Sequence, residues 1–409
     1  MTVSDRNARP LSAALLLAGI LLVAINLRPV ITSVGPILPQ IGADTGLGSA
    51  ELGVLAAVPV IAFAVVSPLV HPLARRFGME RTVLVALLVL GLGTLLRSLP
   101  GPTANLWLGT VLIGATVGVG NVALPAIVKK DFPFRVSATT GWYVATQSVF
   151  AAIASGLAVP LAGVGTWRLS LGLWAVLIVV GVLVWLPRIT HARRTGDQAE
   201  RTPDLARTIP ATRPAGIAGR SVYRTRLAWL VAAYMGLQSL VFYTLLNWLP
   251  SVEQDLGVDA ATAGWHLFTF QAVAIGSNLA VPSLMHLFGD QRFAASFVPT
   301  LMVVAMLGLW LAPGLLLVWV VMIGLSTGAA FVVALSLVGL RSADATTASQ
   351  LSSMSQAVGY GVAALGLVGA GVLRDLTGPG PMLLVCLAVV ALAQLVVGLM
   401  VGRERVLQA

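Results

Sequence analysis

Apolar residues in this chain fall into runs of about 20 residues or more, which as helices cross roughly 30 Å of hydrocarbon. Six such runs can be read near 12–41, 52–74, 82–99, 104–128, 138–163 and 167–187. A second six lie near 227–250, 261–287, 293–312, 314–339, 349–373 and 381–402. Gly and Pro interrupt many of them, so each boundary floats by several residues. One long polar stretch parts the two sets. The pattern predicts an all-α integral membrane protein of twelve transmembrane helices. Residues 1–187 form an N-terminal six-helix bundle, 188–226 a basic linker and 227–409 a C-terminal six-helix bundle.

Composition agrees and excludes the soluble alternative. The 409 residues are 57% hydrophobic and only 10% charged, with a mean hydropathy of +0.93, whereas a soluble globule carries about 25% charge. The net charge of +10 is explained by topology. With the N-terminus inside, the inner segments hold 21 of the 25 Lys and Arg residues and the outer loops hold Arg97, Arg168 and Arg374. This imbalance places both termini in the cytoplasm and leaves no footprint for nucleic acid. The linker carries nine Arg with Pro, Thr and Gly and no apolar periodicity, so it is expected to be disordered and attracted to anionic lipid. The polar start, Met1 to Pro10, runs into an apolar stretch too long for a cleavable signal. A single Cys386 excludes an intramolecular disulfide and any Cys-based metal cluster.

Sliding the chain by 211 residues pairs Leu38 and Pro39 with Leu249 and Pro250, Asp44 with Asp255, Gly46 with Gly257, and Gly53 with Gly264. The same shift pairs Phe77, Gly78 and Arg81 with Phe288, Gly289 and Arg292. Six spans per half make the repeat parallel, about an axis along the membrane normal. Transporters built this way bind at the midplane between halves. On these features the chain resembles the major facilitator superfamily. "HPLARRFGMER" looks like a degenerate form of its loop signature, with Arg75 where an Asp is usual, so Arg75, Arg76, Gly78 and Arg81 are expected to form the gating loop. Within the superfamily, "NLRPVITSVGPILPQI" (Asn26 to Ile41) closely resembles the first helix of the cyanate and nitroimidazole transporter family, CynX/NimT, and "GTWRLSLGLWAVL" is similar too. The resemblance implies a carrier of small anions or small polar heterocycles.

Arg28 is the one basic residue that this reading cannot place at a membrane surface, and an intramembrane cation is a site by default. All fifteen Asp and Glu fall in loops or at helix ends, nine inside and six outside (Asp44, Glu51, Glu253, Asp255, Asp259, Asp375), so none is left to neutralise it. A guanidinium offers a planar donor fork suited to carboxylate, nitrate-like or cyanate groups. The alternative is structural: Pro29, Pro36 and Pro39 free backbone carbonyls that Arg28 could cap. Asn26, Gln147, Gln356, Gln238, Tyr243 and Asn247 are the further candidates for the substrate site, each open to the alternative of interhelical bonding or interface anchoring. Gln271 and Asn278 rank beside them, and Trp142, Tyr143, Phe242 and Tyr360 are candidate apolar walls. His266, the one histidine expected inside the bilayer and without an evident partner, is the candidate for proton coupling, its alternative being a neutral His bonded to backbone. Glycines of the fourth, tenth and eleventh spans, among them Gly114, Gly118, Gly324, Gly328 and Gly366, suggest smooth faces for rocking halves.

No carboxylate pair, metal cluster, phosphate loop or activated nucleophile is legible, so neither an enzyme nor a cofactor or metal is expected. The sequence reads as a monomeric secondary transporter, moving a small anion or small planar polar solute by alternating access, with protons as a possible coupling ion. The competing reading is a multidrug-like exporter of neutral or amphiphilic compounds. A cation exporter is disfavoured by the missing membrane acid.

Overall fold

The computed structural model describes residues 12–199, 222–286, 291–342 and 345–403. The described residues form an all-helical molecule with twelve membrane helices. α1 is a broken span, Ala13–Thr45, followed by α2 (Ser49–Phe77), α3 (Met79–Ser98), α4 (Ala104–Asp131) and α5 (Val136–Val164). α6 has two pieces, Trp167–Gly172 and Ala175–Ala199. Then come α7 (Arg226–Asp255), α8 (Ala260–His286), α9 (Arg292–Leu311), α10 (Leu316–Leu340), α11 (Ala345–Thr377) and α12 (Met382–Val401). Eleven are long and apolar enough to cross a membrane by composition alone. The remaining helix, α8, carries His266, Gln271 and Asn278 and packs among the others. α6 continues twelve residues into the stretch expected to be linker. Residues 200–221, on which most of the expectation of disorder falls, lie outside the described residues, as do Phe288 and Gly289 of the repeat.

α1 shows how proline writes a broken helix. Ser12 caps its start, accepting the Leu15 amide at 3.3 Å. Pro29 ends the first segment at Leu27, and the chain resumes as Pro29–Thr32, a 3-10 turn at Gly35–Ile37 and Leu38–Thr45, because each proline removes a backbone donor. Hydroxyls take up carbonyls in the broken zone: Thr32 donates to Arg28 O at 3.2 Å and Ala151 O at 3.0 Å, and Ser33 to Pro29 O at 2.7 Å. The repeat reappears at the far end of the span. Gly46 and Gly257 close α1 and α7 at φ +73° and +88°, left-handed values that a side chain would strain.

α3, α6, α9 and α12 carry exposed rows such as Leu88, Leu92 and Leu95, and Val389, Leu392, Val396 and Leu399. These apolar faces suit lipid. The halves meet along α2–α11, α5–α8 and α1–α7. Contact is tightest at the end remote from residues 199 and 222, the distal end. There a Cβ on Gly53 of α2 would lie 2.6 Å from Leu367 O of α11. A Cβ on Gly35 of α1 would lie 2.5 Å from Leu246 O of α7. Asp375 of α11 accepts the amides of Ser49 and Ala50 at the start of α2, at 2.9 and 2.8 Å. Gln271 of α8 donates to Ser155 Oγ and Ala151 O of α5 at 2.6 and 3.3 Å. The hydrogen bonds that join described residues across the halves thus run from mid-depth to the distal end. At the linker end Arg188–Asp131, Lys130–Glu80 and Arg341 with Gln291 each bond within their own half. The glycines expected to let the halves rock mostly serve packing inside a half: Gly114 meets Pro59, and Gly324 meets Phe270.

Candidate functional site

The break in α1 turns Arg28 into a cavity between the halves, with a volume of ≈ 190 Å³. Val144, Ser148 and Ala151 of α5 complete the N-terminal wall. The C-terminal half supplies Gln238, Ser239, Phe242 and Tyr243 from α7, Gln271 and Asn278 from α8, Thr327 and Phe331 from α10, and Gln356 and Tyr360 from α11. The 211-residue repeat pairs Arg28 with Ser239, so equivalent positions of the two halves face one space. Among the described residues no acid lines the cavity and Arg28 makes no ion pair. Two phenols, Tyr243 and Tyr360, line the same cavity as Arg28. No bond from the guanidinium to a carbonyl of the broken helix is present among the described residues, the Arg28 and Pro29 carbonyls being served by Thr32 and Ser33. Aromatic walls are built from Phe242, which meets Tyr243 edge-on at 5.2 Å and Phe270 at 6.1 Å, and from Tyr360, which meets Phe63 at 6.0 Å.

Arg28, Gln238, Tyr243 and Gln356 therefore share one cavity, while Asn26, Gln147 and Asn247 do not line it. Asn26 ties α1 to α6, donating to Leu22 O at 2.7 Å and Leu177 O at 3.1 Å. Gln147 is buried on α5 beside the lining residue Ser148. Asn247 donates to Tyr243 O at 2.9 Å and faces a second, smaller pocket. Within the cavity, Gln238 donates to Ser239 Oγ at 3.1 Å and Gln356 to Ser352 Oγ at 3.0 Å. Ser148, Ser239, Thr327 and Phe331 are lining residues that the sequence reading missed. Nothing in a uniformly apolar helix marks which small polar residue faces the bundle centre. Trp142 and Tyr143 stay out of the wall. Of the residues expected to form a gating loop, only Gly78 lies between helices, capping α2 at φ +87°, whereas Arg75 and Arg76 fall in α2 and Arg81 in α3; Arg76 lies 5.3 Å over the Phe77 ring. Arg76, Gly78 and Arg81 do not line the cavity, and the Arg75 side chain lies outside the described residues.

Two expectations are overturned. His266 has a partner: its Nδ1 lies 2.8 Å from Glu253 Oε2. Glu253 is no loop residue but lies in the last turn of α7, fully buried at 0% exposure and with its second oxygen unpartnered among the described residues. Arg28 is also not the sole cation away from the surface. Arg97, expected in an outer loop, is 2% exposed. It sits in the last turn of α3, and helical side chains lean back toward the N-terminus, which here means into the bundle.

A family profile described as Major Facilitator Superfamily matches residues 14–366. The chain is 37% identical over 395 residues to the "Uncharacterized transporter YycB" of Bacillus subtilis (strain 168), covering 95% of this chain and 94% of that one. It is 35% identical over 395 residues to the "2-nitroimidazole transporter" of Escherichia coli (strain K12), covering 95% and 96%. To the "Cyanate transport protein CynX" of the same organism it is 27% identical over 361 residues, covering 88% and 90%. Among solved structures, a bacterial homolog of the human lysosomal transporter Spinster, inward-facing and occupied, superposes with a TM-score of 0.77 at 15% identity over 96% of this chain and 97% of that one. This last likeness is one of fold.

Proposed function

The chain belongs to the major facilitator superfamily, and within it to the cyanate and 2-nitroimidazole transporter family; on that premise we propose that it carries a small planar anion, held by Arg28, across the bacterial inner membrane. It is a secondary transporter of small solutes and not an enzyme. The single observation that carries the anionic reading is Arg28, which stands in the central cavity with no carboxylate among the residues that line it. A guanidinium held there through the cycle needs a counter-charge, and the solute supplies it most simply. Phe242, Tyr243, Phe331 and Tyr360 give the cavity flat apolar walls for a planar solute. At ≈ 190 Å³ the space suits something smaller than a drug. Two relatives are named for transport of small solutes, 2-nitroimidazole and cyanate.

Orientation follows from the basic residues, which put both termini and the linker joining the halves in the cytoplasm. The closed distal end is then periplasmic and the cavity faces inward. Coupling is assigned to the His266–Glu253 pair, two titratable groups bonded to each other beneath the closed end and apart from the cavity. A single chain holds the complete cavity, so the transport unit is the monomer.

The test is direct binding to purified protein with a panel of cyanate, nitrate, small carboxylates and 2-nitroimidazole. Arg28→Ala should abolish binding of the anion that the wild type takes up, and Arg28→Lys should retain the charge but lose the two-pronged contact and most of the affinity. Full affinity in folded Arg28→Ala protein sinks the proposal.

A further inference from the structure

Arg97 is a buried charged residue that does not line Arg28's cavity. Its Nε and Nη2 are buried without a hydrogen-bond partner. Its stem is clamped where α3 meets α4, since a Cβ on Gly109 would lie 2.7 Å from Arg97 Cβ. Arg97 lines a small pocket of ≈ 20 Å³ toward the distal end, lined also by Val34 of α1, Pro59 of α2, Thr110 of α4, Leu171 of α6 and Asn247 of α7. A cavity of about 10–15 Å³ already holds one water-sized species, so there is room for one small occupant.

The acids that could neutralise Arg97 are committed elsewhere. Asp44 pairs with Arg168, Asp255 with Arg374 and Glu253 with His266. Asp375 accepts the first amides of α2, Glu51 the Gly48 amide at 3.0 Å, and Asp259 the Thr262 amide at 3.0 Å. Every acid on the distal side is thereby accounted for, and none touches Arg97. Water in the pocket would satisfy donors but leave a full charge in a low-dielectric interior, where an uncompensated ion is strongly disfavoured. A second donor points to the same conclusion. The Asn247 amide spends one N–H on Tyr243 O and has another to offer, whereas the Thr110 hydroxyl is turned to Leu106 O.

We propose that Arg97, with the Asn247 amide, forms a second anion site, separate from the transport cavity, that takes one halide-sized inorganic anion. Its walls come from five spans of the N-terminal half and from α7 of the other, so the site is complete only while the distal end is shut.

Thermal unfolding of the purified protein in sodium chloride or bromide, against sodium gluconate at equal ionic strength, tests this. Halide should raise the wild-type midpoint saturably. Arg97→Gln should lose that response, while Arg28→Ala keeps it, which separates this site from the transport site. Identical midpoints in halide and gluconate would mean that water fills the pocket and would overturn the proposal. So would a halide response that persists in Arg97→Gln, or one that disappears in Arg28→Ala. If Arg97→Gln does not fold, crystals of the wild type soaked in bromide decide: an anomalous peak against Arg97 supports the site, and none there refutes it.

Discussion

Gly53→Ala isolates the closed distal end. In the present state the added Cβ would lie 2.6 Å from Leu367 O and 3.3 Å from the Cα atoms of Val368 and Gly371. The first neighbour is backbone and cannot swing aside. Restoring ordinary contact separates α2 from α11 by roughly 0.8 Å, and overpacking of this size costs about 1–3 kcal/mol. The contact exists only when the distal end is shut, so the cost falls on one state of the cycle. The equilibrium between inward-open and outward-open forms should move toward the outward form by about 5- to 150-fold. The assay is alkylation by an impermeant maleimide. In a background with Cys386 replaced by Ser, a cysteine at Ala56, buried on α2 beside the small distal pocket, reports distal opening. One at Gln356, exposed on the wall of the central cavity, reports the opposite end. Gly53→Ala should speed labelling at position 56 by that factor and slow it at position 356. Gly276→Ala, where a Cβ meets nothing within 4 Å, is the control and should change neither. Unchanged labelling in folded Gly53→Ala protein would falsify the claim that close backbone approach at Gly53 sets the closed state.

Asp375→Asn should move the same equilibrium the same way but less, since an exposed acid at a helix start contributes about 0.3–1 kcal/mol; a larger effect than that of Gly53→Ala would mean that charge, not packing, closes the distal end. Glu253→Gln should abolish accumulation driven by a pH gradient while substrate exchange without a gradient continues, and undiminished gradient-driven uptake would remove the pair from coupling. His266→Ala leaves a buried carboxylate unpaired, a loss of about 3–5 kcal/mol, so its midpoint of thermal unfolding should fall far more than that of the double variant Glu253→Gln, His266→Ala. Cysteines at Thr202 and Ser49 should be labelled only from the cytoplasm and only from outside, respectively; labelling of both from one face would overturn the orientation.

The span count and the lone Arg of the first span were legible because they depend on local chemistry. A bilayer demands about 20 apolar residues per crossing whatever the helix touches, and proline breaks α1 at Arg28 by its own covalent structure. Register over 211 residues likewise needs no coordinates, and Gly46 and Gly257 take matching left-handed conformations. Helix rotation was not legible. A span with lipid on one side and protein on the other is apolar all round, so no stripe tells that Ser148 lines the cavity and Gln147 does not. Depth was illegible for a related reason. Arg97 and Glu253 both sit in the last turn of an apolar run and read as loop residues. Only the packing of neighbouring helices over those turns decides whether a charge there reaches water or is sealed inside, beside His266 in one case and a small pocket in the other.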